Sequence, residues 1–476
     1  KWGQTLLQDF NEIDRYLIDV QQLFANLSAI QEIGVWAPNA PRTQMMEDYV
    51  SFWNNIETLY TNFNTCLLEK SIGHQGLVYR QAHQHINIYL EGCSHKTHVF
   101  IGFNALNTAE EKIIQRFLKN PQTKIYWDID QYFLDDPIHD AGLFIRQHAK
   151  TWDFFKKNAL DGSSNSYTTE KKIEIVGVPK NVSQAKYVGY LLNRIQEEEK
   201  EDSLRKTAVV LGDETLLNPI LNSVPETISE VNITMGYPLH KTDQALLFTQ
   251  FMNLYINMDS QGWFYQPILG FLANPNVQML LSGEERNTGA VLTEKIRNNN
   301  WAYVNAKKLF QASNEDALVA LLFFDEHFTP LDFVKRCSVV IHRLKEKFDV
   351  NGDVLSIEYL YRFHQLFVQL QELLEKHTFI QDMKSLLGLF KELLSTETLD
   401  FKGEPLQGLQ IMGMLESRNL DFETVILTSV NEGILPSGKS NNSFIPFDLK
   451  NAFKLPTYKE KDAVYTYHFY RLLQRA

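Results

Sequence analysis

The side chains best placed for chemistry stand where apolar runs give way to polar turns. Trp127-Asp128-Ile129-Asp130-Gln131 closes a short apolar run and brings together two carboxylates and an amide. Glu416-Ser417-Arg418-Asn419-Leu420-Asp421-Phe422 follows the run GLQIMGM, and Asn431-Glu432-Gly433-Ile434-Leu435-Pro436 follows TVILTSV. Open α/β sheets hold their ligands beyond strand ends of this kind. Carboxylate oxygens there are the ligands that a Mg²⁺ ion requires. Arg475, near the C-terminal end of a helical pattern, adds a cation. Plainer roles fit the same residues, because polar loops are the rule and the helix dipole favours arginine at that end.

Two other patterns point to sites and are set aside. Gly433 to Ser440 fits G-x-x-x-x-G-K-S, the phosphate-cradling loop. That loop works because its amides open a helix, whereas here Pro446 breaks any helix starting at Lys439. The segment is read as a turn. His74, His83, His85, Cys93, His95 and His98 cluster in sequence but lack the paired spacing of tetrahedral zinc sites. They are expected to be surface histidines.

The elements that must position these residues follow from periodicity. Residues 4–33, 44–68 and 75–90 read as helices. Thr97 to Phe103 reads as a strand, Thr108 with Glu111 as a capping box, and Lys124 to Trp127 as a second strand. Strand, helix and strand in about 30 residues make a βαβ unit with a parallel pair. Gly162 to Ser166 reads as a soft linker before a strand at Lys172 to Val178, then a helix over 182–199. Thr207 to Leu211 is a buried strand, followed by a helix over Leu216 to Val224 and a short strand and turn from Asn232. From 241 to about 397 helical patterns dominate, and Leu360, Phe363, Phe367, Leu370 and Leu374 read as core rather than as a dimer coil. Val425, Ile426 and Leu427 complete an apolar strand of the kind buried on both faces of a parallel sheet.

A chain of 476 residues, 44% hydrophobic and 12% aromatic, has enough apolar mass for more than one core. The formal charge of −12 argues against a generally basic nucleic-acid coat but leaves a locally basic channel open. Three scattered cysteines suit a reducing, cytoplasmic setting without a disulfide framework. No apolar run is long enough for a membrane span. The chain opens at Lys1 without Met and stops inside a helical pattern, so it is expected to be part of a longer protein.

The stretch Gly408 to Pro436 resembles motif V of the UvrD-like superfamily 1 helicases. There, a strand runs into a Ser-Lys-Gly-Leu-Glu-Phe-like turn and a second strand ends in a Glu-Gly-x-x-Pro-like turn. Here Arg418, Asn419 and Asp421 replace the Lys, Gly and Glu. The Asn-Glu-Gly-x-x-Pro form is similar to AddB-like subunits of bacterial recombination nucleases. Residues 97–133 resemble motifs II and III. Asp128, Asp130 and Gln131 fit the second of these, which senses the γ-phosphate, while Gly102-Phe103-Asn104 lacks the Asp-Glu pair that holds Mg²⁺ in the first. VVLGDETLLNPIL with NITMGYPL is similar to the motif IV region, and the end of the chain resembles motif VI with Arg475 as its arginine finger.

The resemblance implies an α/β fold of RecA-like, P-loop-NTPase-type parallel sheets with a large all-helical insertion. Residues 1–170 would hold helices and part of a first RecA-like domain. Residues 171–240 and 400–476 would form a second, and 241–399 the insert. A vestigial nucleotide cleft would include Asp128, Asp130, Gln131, Arg418, Asp421, Glu432 and Arg475. The implied role is a DNA-binding scaffold subunit of an ATP-dependent exonuclease in double-strand break repair, without ATP turnover of its own. It would work beside an AddA-like helicase-nuclease, with any nuclease domain beyond Ala476. ATP and Mg²⁺ enter only if the cleft is intact. Two alternatives stay open: an active helicase with its phosphate loop upstream of Lys1, and a protein-interaction scaffold that never touches DNA.

Overall fold

Period changes in the sequence mark where helices give way to strands, and the computed structural model follows most of them. It describes residues 2–34, 44–93, 95–198, 203–283, 286–325, 327–399, 408–436 and 442–476. The protein is mixed α/β, with helices dominant and small parallel sheets. Contacts divide it into two compact units, residues 1–234 with 403–476, and residues 235–402.

The first unit opens with helices α1 (Trp2–Arg15), α2 (Val20–Gly34), α3 (Gln44–Glu69) and α4 (Gln75–Gly92). The single helix expected over 4–33 is two, because Leu17 adopts φ +53 and turns the chain between them. Asp14, with no exposed side-chain surface, ties three of these helices together. Tyr60 donates to it, Asn64 Nδ2 lies at 3.2 Å and Arg80 Nε at 2.6 Å. A buried carboxylate persists only with such partners.

β1 (Val99–Phe103), α5 (Thr108–Phe117) and β2 (Lys124–Trp127) form the expected βαβ unit with a parallel pair. The capping box sits one residue earlier than expected: Asn107 caps Glu110 N, and the Glu110 carboxylate returns to Asn107 N. Glu111 is thereby released, and lies 3.0 Å from His148 Nδ1 on α7 (Leu143–Thr151). β3 (Ile129–Asp130) leads into the short α6 (Gln131–Asp135). The expected soft linker is instead ordered, because Ser163–Ser164 forms β4 and pairs in parallel with β3.

Lys172 to Val178, expected as a strand, runs without a ladder partner among the described residues. Its apolar side chains stay in solvent, Ile175 being 94% exposed. α8 (Asn181–Glu198), β5 (Thr207–Leu211), α9 (Leu217–Leu221) and β6 (Val231–Ile233) follow. α9 is shorter than the expected 216–224 helix, since the first turn, Glu214–Leu216, is a 3-10 helix.

The second unit is helical: α10 (Asp243–Ile256), α11 (Tyr265–Leu272), α12 (Pro275–Leu281), α13 (Thr288–Asn298), α14 (Ala306–Ala312), α15 (Ala317–Leu322), α16 (Pro330–Asn351), α17 (Val354–Lys376) and α18 (Met383–Thr396). Two short antiparallel pairs interrupt it, β7 (Tyr237–Pro238) with β10 (Thr398–Leu399) and β8 (Trp263–Phe264) with β9 (Tyr303–Val304). Phe248, Phe251, Phe271, Phe333, Phe363, Phe367 and Phe390 fill its core. Leu360, Phe363, Phe367 and Leu370 are buried there, as core residues should be, with Leu374 packed against them.

The chain returns to the first unit with β11 (Leu409–Gly413), β12 (Thr424–Thr428), α19 (Phe447–Ala452) and α20 (Tyr458–Arg475). A four-stranded sheet of order β12-β5-β11-β6 results, parallel throughout. β5 and β11 are buried along their whole length, which explains their largely apolar sequences. The one amide side chain in these two strands, Gln410, accepts from Asn232 Nδ2 at 2.7 Å. The helical unit leaves the chain between β6 and β11, neighbours in this sheet, so the ladder closes across the insertion.

Candidate functional site

The site is built where α20 meets the two turns carrying the singled-out carboxylates. α20 starts firmly: Thr457 caps it and Glu460 closes the box. Residues 467, 471 and 475 recur every four positions, so their side chains share one face. Tyr467 Oη donates to the Asp128 backbone carbonyl at 2.6 Å. Arg471 Nε donates to Asp128 Oδ2 at 2.6 Å, Nη2 to Asp421 Oδ1 at 2.8 Å, and Nη1 to the Leu420 carbonyl at 2.6 Å. Arg475 spends its two terminal nitrogens on the remaining oxygens, Nη1 on Asp421 Oδ2 at 2.6 Å and Nη2 on Asp128 Oδ1 at 2.8 Å. The result is a closed ring of two guanidiniums and two carboxylates.

Exposure grades the ring. The Arg471 side chain is 3% exposed and Asp128 15%, whereas Arg475 is 36% and Asp421 49% exposed. Burial alone would lower the Arg475 pKa, but the Asp421 hydrogen bond and the Asp128 charge hold it above its ordinary value. Beside the ring, burial and then the charges of Arg418 and Arg471 pull His468 down to about 4, so it is neutral at pH 7. Burial pushes the Tyr467 phenol up, so it stays protonated and donates.

Asp128, Asp421 and Arg475, distant in sequence, are thus brought together. The other singled-out residues lie elsewhere. Asp130 is 1% exposed and caps α6, accepting from Tyr132 N at 3.0 Å, Tyr167 N at 2.9 Å and Ser164 Oγ at 3.2 Å. Gln131 is half-buried and donates to Asp135 Oδ1 at 2.7 Å. It borders an open surface cavity of ≈ 470 Å³ that Arg146 and Lys150 also line. Arg418 is exposed in the turn after β11, and Glu432 is exposed in the turn after β12. Lys439 and Ser440, which complete the phosphate-loop pattern, lie outside the described residues. The next described helix is α19, which Pro446 precedes.

At the end of β1 no carboxylate stands among Gly102, Phe103 and Asn104. Gly102 has φ +72, and the Asn419 side chain packs against it so closely that an added Cβ would meet Asn419 Oδ1 at 2.8 Å. The turn after β11 therefore occupies the space beyond this strand. These residues do not fit a Mg²⁺–nucleotide group. A metal needs free carboxylate oxygens and a phosphate needs free cations, yet both Asp128 oxygens accept from Arg471 and Arg475, and both Arg475 terminal nitrogens are spent on Asp421 and Asp128. Among the described residues, no group of three or more His, Cys, Asp or Glu is placed to hold a metal. His74 instead caps α4 and lies within hydrogen-bonding distance of Asn11 and Asn64.

Sequence reading missed Arg471, the most buried member of the ring. Its signal was the four-residue spacing to Arg475. Asn419 was quoted only as part of a turn, and nothing local announces its contact with Gly102.

No protein-family model matches this chain, and no curated protein is significantly similar to it. No helix among the described residues is long and apolar enough to cross a membrane.

Proposed function

We propose that this chain is an AddB-like, helicase-derived module that handles DNA as a non-hydrolysing subunit beside an AddA-like helicase-nuclease in double-strand break repair. In this reading the two sheets descend from RecA-like lobes, and the motif-like turns now act as structural joints. The observation that carries it is the state of Arg475. An arginine finger must be free to reach a phosphoryl group, where it neutralises developing charge, and here both of its terminal nitrogens end on Asp128 and Asp421. The missing carboxylate at the end of β1, where Asn419 covers Gly102, supports the same reading. What remains for the chain is to bind a polyanion, and nucleic-acid contact needs only local cations and stacking rings.

The test is a pair of equilibrium titrations on the whole chain. A fluorescent ATP analogue with Mg²⁺ should not bind at millimolar concentration, while single-stranded DNA should bind and weaken steeply with salt. Nucleotide binding that falls on Arg475→Ala would establish a working cleft and an active helicase instead. DNA binding absent at every salt concentration would leave a protein-interaction scaffold.

A further inference from the structure

Helix α5 carries a basic stripe that the ring of arginines and carboxylates does not use. Lys112 and Arg116 stand four apart on one face of α5, Lys119 follows three residues later in the turn after its Leu118 cap, and all three are exposed. Asp153 feels the charge of Lys119, but it is a solvent-exposed carboxylate already paired with Lys156. Among the described residues none of the three forms an ion pair, and the acids nearest them in sequence are committed elsewhere: Glu110 to the capping box and Glu111 against His148. The helical unit shows the opposite habit. There Arg343, Lys345, Arg362 and Lys376 each face an acid one turn away.

Two residues of α4 extend the stripe. His83 lies near enough to Lys112 and Arg116 for their charges, after burial, to lower its pKa. Tyr89 sits against Phe117 with ring centroids 6.0 Å apart and is 51% exposed, so its ring is available at the C-terminal end of α5. From Lys112 to Lys119, the last two residues lying just past the end of α5, the chain spans about 10 Å at the helical rise, comparable to about three phosphates of one strand. Unpaired cations in line, ending on an exposed aromatic ring, are the two parts of a single-strand binding groove.

We propose that Lys112, Arg116 and Lys119 form a phosphate-tracking rail for single-stranded DNA, with Tyr89 stacking on an unpaired base at its end. The assignment rests on the DNA-handling reading above and names the surface that does it. In a chain of net charge −12, such a rail concentrates affinity on one face and leaves the rest repulsive to DNA.

The experiment is a salt titration of the whole chain against a fluorescein-labelled oligo-dT. Three released counterions contribute about two units of the log–log salt slope for a single strand. Lys112→Glu/Arg116→Glu/Lys119→Glu should therefore lower that slope by about two and weaken binding at low salt at least about ten-fold. Arg343→Glu/Lys345→Glu/Lys376→Glu, with the same charge change placed on the helical unit, should stay within about two-fold. Tyr89→Ala should weaken oligo-dT binding about ten-fold even at high salt, where stacking persists. Equal losses in the two triple variants, or an unchanged slope, would overturn the rail while leaving the DNA-handling reading standing. An unaffected Tyr89→Ala would overturn the single-strand assignment. If the unsubstituted chain binds no DNA, the rail and the proposed function fall together.

Discussion

Arg471 donates to the Asp128 carboxylate at 2.6 Å across 343 residues of chain, joining the last helix to the turn after β2. The same guanidinium reaches Asp421 in the turn after β11. Three segments that sequence alone treats as separate are thereby locked into one joint.

The joint makes a prediction about two arginines one helical turn apart. Arg471 is almost fully buried, so Arg471→Ala leaves the Asp128 carboxylate half-unpaired in a low-dielectric site. Removing one partner of such a pair is destabilising by about 3–5 kcal/mol when both are buried. With Asp421 half in water, about 2–4 kcal/mol is expected. Arg475→Ala loses a more exposed pair and should cost under about 1 kcal/mol. Urea unfolding of the two variants decides it, and a larger loss for Arg475→Ala would refute the burial ordering.

His468 predicts an acid limb. Its folded-state pKa, pulled down to about 4, lies below the unfolded value near 6.5. The unfolded chain takes up the proton first, so stability is full above about pH 6.5 and falls as pH drops toward 4. The shift corresponds to a loss of up to about 3 kcal/mol. His468→Gln should flatten the thermal-midpoint curve between pH 7 and 4. Burial lowers His74 and His139 in the same sense, so only the difference between the two curves reports on His468. Identical curves would mean that the imidazole is not held neutral.

The approach of Asn419 to Gly102 predicts a coupling. Gly102→Ala places a Cβ at φ +72, which alone costs about 1–2 kcal/mol, and adds a clash with the Asn419 amide. Asn419, itself at φ +62, tolerates glycine. In the Asn419→Gly background the Gly102→Ala penalty should shrink to the backbone part. A penalty of the same size in both backgrounds would show that the two residues do not touch.

Asp130 and Gln131 should separate sharply. Asp130→Ala strands three buried or half-buried donors and should destabilise by about 1–3 kcal/mol. Gln131→Ala removes one exposed hydrogen bond within α6 and should stay within about 0.5 kcal/mol. Circular-dichroism melts measure both. A nucleotide-sensing role for Gln131 would appear instead as lost ATP binding at unchanged stability.

Local chemistry made much of the fold legible. The βαβ unit over 99–127 was readable because strand and helix periods differ and a capping signal divides them, although Asn107 rather than Thr108 won the cap. The buried strand Thr207–Leu211 announced itself as an apolar run, because both faces of a parallel sheet are covered there. Thr424–Thr428 read the same way, yet it is the edge strand of its sheet and Val425, Ile426 and Leu427 are only half-buried. Helical order in 243–396 followed from its apolar periodicity. Each of these is decided within a few residues, where backbone propensity and burial act together.

Other features belonged to the tertiary structure. Lys172 to Val178 has the composition of a strand, but a strand exists only when a neighbour offers its hydrogen bonds, and none does among the described residues. Ser163–Ser164 looks like a linker and becomes a strand because Asp130 and β3 supply those bonds. Sequence pointed to Asp128, Asp421 and Arg475 as charged turn and helix-end residues. That they cancel one another through Arg471 is set by packing across hundreds of residues, where charge is strong only because water has been excluded.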